Sequence, residues 1–321
     1  MSDSPGRACP SHYRYRPAVF ARSPELHADT LLIAGGLYGN LPALDAVQRL
    51  LEPETTLVFN GDFNWFNVDP TGFVTINREV AQHTAVRGNV ETEICATRTD
   101  AGCGCAYPPS VDDSEVERSN TIMMRLRRTA SQFPKLCDHL GTLPMHLVAQ
   151  VGDLRIGIVH GDARSLAGWE FAHDQLHRLD HIEMLDRLFA RSEVDVFASS
   201  HTCLPALRTL ERADRQFAVI NNGATGMPNF AGTHFGLATR ISIRPCPPTV
   251  RLYGTRIGSV FVDAIKVHYD HRGFIDQFLS QWPDGSPAHE SYYSRIIDGP
   301  PFSTEMALGV LAKQSSRQRV S

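Results

Sequence analysis

Residues 30–65 read TLLIAGGLYGNLPALDAVQRLLEPETTLVFNGDFNW. Two short apolar runs, residues 31–34 and 56–60, each end in a glycine-bearing turn. Between them residues 42–51 place apolar side chains at helical spacing, with Pro42 at the first turn. Strand, turn, helix, strand is a βαβ unit, and its loops fall at the carboxyl ends of parallel strands, where ligands usually bind. The second turn, Asn60-Gly61-Asp62, delivers a carboxylate to that edge. The first, Gly35-Gly36-Leu37-Tyr38-Gly39-Asn40, brings no acid.

The pattern continues along the chain. Spacing predicts a helix over residues 73–83, then a strand over 84–87 entering Gly88-Asn89. Residues 93–112, rich in Cys, Gly and Pro, read as a loop, and 113–140 as helix broken near Pro134. Residues 147–151 and 154–159 flank Gly152-Asp153 as a β-hairpin. A polar amphipathic helix is expected over 173–191, buried strands over 194–198 and 217–220, and half-exposed strands over 237–244 and 258–268. Strands and helices in this order, with a hairpin, predict an α/β fold with two mixed sheets. The expected organisation is an irregular leader (1–28), a main domain (29–245) and a C-terminal extension packed on the core (246–321). The residues after 283 are expected to form a flexible tail wrapping the surface.

The 321 residues are 42% hydrophobic and 21% charged, a globular balance. A net charge of -4 gives the whole molecule no electrostatic attraction to nucleic acid or anionic membrane. Arg125-Leu126-Arg127-Arg128 reads as one solvated helix face. No stretch reaches the roughly 20 apolar residues of a membrane span, and the N-terminus lacks the apolar core of a secretory signal. Seven scattered cysteines point to free thiols in a reducing cytoplasm. Among Cys95, Cys103 and Cys105 there is one tight pair, short of the paired spacings of a zinc site. His173, His177 and His181 recur on one helical face and are expected to be solvated, as are His268 and His271. Trp65-Phe66 could pack in the core or stack on a substrate base.

Asp62, Asn89, His160 and His201 each follow an apolar run and sit in a Gly- or Ser-flanked turn. One carboxylate, one amide oxygen and two imidazoles suit Mn, Fe or Zn and leave a coordination position for water. Such an ion acidifies water and neutralises charge on a phosphoryl oxygen. Arg87, just before Gly88-Asn89, could contact phosphate or form a structural ion pair.

Gly61-Asp62, Gly88-Asn89, His160-Gly161 and Ser200-His201-Thr202 resemble, in order and spacing, the motifs of the calcineurin-like metallophosphoesterase superfamily. Asn222-Gly223-Ala224 resembles the turn that closes those domains, and residues 39–44 resemble the opening of the bacterial phosphodiesterase subgroup. The resemblance spans residues 29–245. It implies a sandwich of two mixed sheets between helices, in four layers, and phosphomonoester or phosphodiester hydrolysis by a metal-bound hydroxide. Asp62, Asn89, His160 and His201 match the full ligand set of one ion of the family's two-metal site. The positions that hold the other ion are Gly36, Tyr38 and Cys203 here, so that half is degenerate. Val90 stands where many members have a histidine.

Three expectations follow: a single ion supporting hydrolysis of a small phosphorylated substrate; a second, unusual ion held by Tyr38 and Cys203 together with Asp62; or an inactive scaffold for a phospho-ligand or partner protein. The Gly35-Gly36-x-x-Gly39 turn also partly matches a dinucleotide-binding fingerprint, which would make the chain an oxidoreductase.

Overall fold

The computed structural model describes residues 4–310 apart from positions 99 and 214. In the first half run β1 (Leu26–His27), β2 (Thr30–Ala34), α1 (Leu41–Arg49), β3 (Thr55–Asn60), α2 (Pro70–Val80), β4 (Thr84–Val86) and α3 (Asn89–Ile94). Then come α4 (Asp113–Ala130), α5 (Pro134–Thr142), the hairpin β5 (His146–Val151) and β6 (Leu154–Val159), α6 (His173–Leu176) and α7 (Ile182–Ser192). The last part holds β7 (Val196–Ser199), β8 (Pro205–Arg212), β9 (Arg215–Asn222), β10 (Gly236–Ser242), β11 (Arg251–Ile257) and β12 (Val260–Val267). It ends in α8 (His271–Gln281), α9 (Pro287–Asp298) and α10 (Thr304–Ala307).

The strands form two six-stranded sheets, ordered β1-β5-β6-β7-β9-β8 and β11-β12-β10-β2-β3-β4. Both are mixed. β2, β3 and β4 run parallel, while β10 is antiparallel to β2 and to β12; β6, β7 and β9 run parallel beside two antiparallel pairs.

Side chains alternate across a strand, and here both faces are buried. Leu31, Ile33 and Val58 face Ile156, Ile158, Val196 and Ile220 between the sheets. Leu32, Ala34, Leu57 and Phe59 point the other way, into a layer shared with helices α1, α2 and α8. Val148, Val159, Phe197 and Val219 pack under α7. The result is the four-layer αββα sandwich that the resemblance implies. Helix α1 starts where Asn40 accepts a hydrogen bond from Ala43 N at 2.9 Å, with proline in the first turn.

Several elements depart from expectation. The helix expected over 173–191 is broken into α6, a 3-10 turn (Leu179–His181) and α7; the Arg208 guanidinium bonds the carbonyls of Leu176 and Arg178, which a continuous helix would bond to its own N–H groups. Polar, partly exposed β8 and β11 are edge strands with too weak an apolar alternation to be read.

After residue 283 the chain is not a surface wrap. Ser286 and Pro287 begin α9, which buries Ala288 and Ile296; the residues of the expected flexible tail beyond 310 lie outside the described ones. The leader is also docked, with Tyr13 and Phe20 fully buried. The arginine run is not a solvated face, since Arg127 pairs with Glu93 at 3.0 Å and Arg125 lies 4.0 Å over the Trp282 ring.

Cys95 and Cys137 are joined by a disulfide, contrary to the free-thiol expectation, because α3 and α5 bring their Cα atoms within 5.2 Å. That bond removes the thiol argument for a reducing compartment. Cys103 and Cys105 are free and buried. No helix among the described residues is long and apolar enough to cross a membrane.

Candidate metal centre

Asp62, Asn89, His160 and His201 follow β3, β4, β6 and β7 at one edge of the sandwich, and all are buried. Glycine makes their approach feasible: a Cβ on Gly88 would stand 2.3 Å from Asp62 Oδ1. His160 Nε2 lies 3.3 Å from Asp62 Oδ2, 3.1 Å from Asn89 Oδ1 and 3.1 Å from His201 Nδ1. Ligand atoms of Asp62, His160 and His201 all fall within 4.8 Å of one another.

The hydrogen atoms can be assigned from the partners behind these groups, because a carbonyl oxygen only accepts. His160 Nδ1 faces the Asn60 carbonyl at 2.9 Å and so carries hydrogen. His201 Nε2 faces the Cys105 carbonyl at 3.0 Å and carries hydrogen too. Asn89 donates its amide hydrogen to the Cys103 carbonyl at 3.0 Å. What remains on the inner side is His160 Nε2, His201 Nδ1, Asn89 Oδ1 and the Asp62 carboxylate: acceptors converging with no donor among them. A cation satisfies that set, and the outer carbonyls fix ring and amide orientation as second partners of metal ligands do.

Apart from Val90 N, which donates to Asp62 Oδ1 at 3.2 Å, the source of hydrogen without a cation is a proton on His160. Burial alone would lower its pKa, but the Asp62 carboxylate overrides this and holds it above the ordinary value. Burial opposes ionisation of Asp62, and His160 outweighs it, so Asp62 lies below the usual carboxylate range. Burial, then the His160 charge, pushes His201 down to about 4.

The degenerate half is filled. A Cβ on Gly36 would meet Cζ and Oη of Tyr38 at 2.8 Å, so the Tyr38 ring occupies the ground next to this turn. Tyr38 Oη and Cys203 Sγ share a hydrogen bond at 2.8 Å. Burial raises the pKa of both, foremost among the causes. Cys203 Sγ also donates to the His201 carbonyl at 3.3 Å, so both side chains are engaged by protein partners. Arg295 from α9 donates to the Cys203 carbonyl at 2.6 Å behind them. Tyr38, Asp62 and Cys203 all take left-handed backbone (φ 56°, 55° and 61°), a conformation that costs about 1–2 kcal/mol per residue and persists only where the surroundings impose it.

The cavity over the centre is small, about 40 Å³, and largely aromatic: Trp65, Tyr107, Trp169 and Tyr292 line it with Tyr38, Asp62, Asn89 and His201. Arg87 does not line it; its guanidinium donates to the Gly141 carbonyl at 2.9 Å, a contact that is neither phosphate-directed nor an ion pair. Trp65 and Phe66 are buried, so packing accounts for both, although Trp65 also borders the cavity. His177 is not on a solvated face, since its Nε2 meets the Ala307 carbonyl at 3.0 Å.

The dinucleotide turn is excluded by its own hydrogen bonds. N–H of Gly36, Tyr38 and Gly39 go to the carbonyls of Gly61, Asp62 and Phe63, leaving them none for a pyrophosphate.

Glu91 escaped the sequence reading. Its buried carboxylate accepts from Asp62 N at 2.7 Å and Gly88 N at 3.0 Å, tying two ligand turns together. Burial, then Asp62, raises its pKa to about 7. Glu91 reaching back to the Gly88 N–H is half of a capping box, and with no side chain at Gly88 the other half was absent from the sequence. Nothing in the sequence marks the Cys103 and Cys105 carbonyls or Tyr292 as parts of the site.

Two solved structures share this fold. A metallophosphoesterase from Sphaerobacter thermophilus is 18% identical, with a TM-score of 0.54, over 84% of this chain and 100% of that one. A hypothetical protein from Pyrococcus horikoshii OT3 is 17% identical, with a TM-score of 0.56, over 85% and 99%. No family model matches the sequence, and no curated protein does. The chain thus has the metallophosphoesterase fold.

Proposed function

We propose that this chain is a phosphoesterase working with a single divalent transition ion on a small phosphorylated substrate. The observation that carries the reading is the convergence of Asp62, Asn89, His160 and His201 with their lone pairs inward and every outer hydrogen assigned to a carbonyl. These four would hold the ion. When bound it would acidify a water and neutralise charge on a phosphoryl oxygen.

The chain's own groups do the rest. The Cys105 carbonyl orients His201, Glu91 fixes the two turns that present Asp62 and Asn89, and the aromatic walls limit water around the phosphoryl group. Tyr38 and Cys203, hydrogen-bonded to each other and to the His201 carbonyl, support one ion rather than two.

Purified protein is expected to carry about one equivalent of Mn, Fe or Zn and to hydrolyse bis(p-nitrophenyl) phosphate. His160→Ala is expected to lose the metal and at least about a hundredfold in rate. Metal-free protein, inactive with added Mn, Fe, Zn or Ni, would favour the second reading, which the filled second half-site supports: a scaffold binding a phospho-ligand or a partner protein.

A further inference from the structure

The cavity over the candidate centre offers few donors to a phosphoryl group. Among the described residues, no lysine or arginine lines it. Most of the hydrogens on its walls are committed to other partners. The Trp169 indole N–H donates to the Cys105 carbonyl at 3.0 Å. Cys203 Sγ donates to the His201 carbonyl at 3.3 Å, which leaves Tyr38 Oη to donate to Cys203 Sγ at 2.8 Å. Tyr107 Oη meets Ser119 Oγ at 3.0 Å.

Two donors remain. The Trp65 N–H meets no acceptor among the described residues, but that ring is packed in the core with 4% of its surface exposed. Tyr292 is different. With Ser119 donating to Tyr107 and Tyr107 to Tyr292, the hydroxyl hydrogen of Tyr292 has no acceptor among the described residues. Its oxygen stands beside Tyr107 and within electrostatic reach of Cys105 and Cys203, three residues that border the cavity from other sides. The hydroxyl, rather than the ring edge, is therefore what Tyr292 brings to the cavity.

We propose that Tyr292 is a catalytic residue whose hydroxyl donates a hydrogen bond to an oxygen of the phosphoryl group held at the centre. Its part in turnover rests on the phosphoesterase reading, whereas its contact with a bound oxyanion does not.

Two features suit Tyr292 to that task. The first is that it is fixed. Its ring packs at 4.8 Å against Phe66, whose left-handed backbone (φ 69°) persists only where the surroundings impose it. Its helix, α9, is pinned on both sides of it: Arg118 of α4 donates to Ser291 Oγ at 2.7 Å, and Arg295 donates to the Cys203 carbonyl at 2.6 Å. A donor already aimed costs no reorganisation when charge develops on an oxygen. The second is that it stays neutral. Burial, foremost among the causes, raises its pKa, so the hydrogen remains on the oxygen.

Tyr292→Phe removes the hydroxyl and keeps the ring against Phe66. On the full chain with saturating Mn, calorimetry is expected to show inorganic phosphate binding to wild type and binding at least about tenfold more weakly to Tyr292→Phe. Mn binding and the urea midpoint should stay at the wild-type level, because this hydroxyl neither holds the ion nor packs the core. The kcat/KM for bis(p-nitrophenyl) phosphate should fall by the same factor.

Phosphate binding that depends on Tyr292, in a chain that hydrolyses no ester, supports the donor and sinks only the phosphoesterase reading. Hydrolysis undiminished in Tyr292→Phe, with phosphate bound as tightly as before, overturns the donor and leaves the phosphoesterase reading standing. Wild type that binds no phosphate overturns it too. So does a loss of phosphate binding that comes with lost Mn or a lowered urea midpoint, since the hydroxyl would then be a structural prop.

Discussion

Gly36 and Tyr38 occupy the ground where the family resemblance leads one to expect an acid and a histidine, and they do so as a matched pair. Gly36 has φ 66°, and the Tyr38 ring lies 2.8 Å from where its Cβ would be. Gly36→Ala therefore meets both a disfavoured backbone and a clash, and should cost about 1–3 kcal/mol in urea unfolding; an unchanged midpoint would show that the ring moves aside freely. The neighbouring contact bears on metal content. Since Tyr38 and Cys203 are bonded to each other and Cys203 to the His201 carbonyl, Tyr38→Phe and Cys203→Ala should leave the metal content at the wild-type level. Loss of an ion in either variant would establish the unusual second site instead. Glycine and tyrosine were readable in the sequence as missing ligands. That the tyrosine fills the gap was not, because it depends on the left-handed turn that folds its ring back.

At the level of elements, the disulfide and the docked leader carry separate predictions. Cys95 and Cys137 close a loop of sequence separation 42, and chain entropy makes such a closure worth up to about 4 kcal/mol. Cys137→Ser should lower stability by an amount of that order, and an unchanged urea midpoint would mean that α3 and α5 hold together without it. The leader docks on β5 through His146, whose ring lies 4.7 Å from Tyr15 and 5.0 Å from Phe20. Burial, then the Arg22 guanidinium, pushes its pKa from the ordinary 6.5 down to about 4. The folded state thus refuses a proton that the unfolded chain accepts. His146 contributes its full stability above pH 6.5 and loses it progressively as the pH falls toward 4. Replacing His146 with Asn should shrink the stability difference between roughly pH 7.5 and 5, discounted because the ring is partly exposed. An equal difference in the two proteins would remove His146 from the acid response.

For the whole molecule, the βαβ unit at residues 30–65 was legible because its apolar runs and turn residues are local signals, and the four candidate ligands were legible because each follows a buried strand. What was hidden is long-range. Nothing local reveals that Tyr292 will line the cavity, or that Trp282 will donate to the Phe66 carbonyl at 2.8 Å and Gln277 to that of Gly39 at 2.6 Å. The residues after 245 also supply β12 beside β10, and β11 beyond it. Phe274, Phe278, Trp282 and Ile296 are buried in the same core as Phe59 and Phe73. Full burial of side chains of this size is worth about 1.5–3 kcal/mol each, so these four together approach the roughly 5–15 kcal/mol by which a protein of this kind is stable. A chain ending at residue 245 should therefore show no cooperative urea transition and bind no stoichiometric metal, although it retains all four candidate ligands. If that fragment unfolds cooperatively and still holds an ion, the C-terminal helices are an appendage to the centre and not part of what builds it.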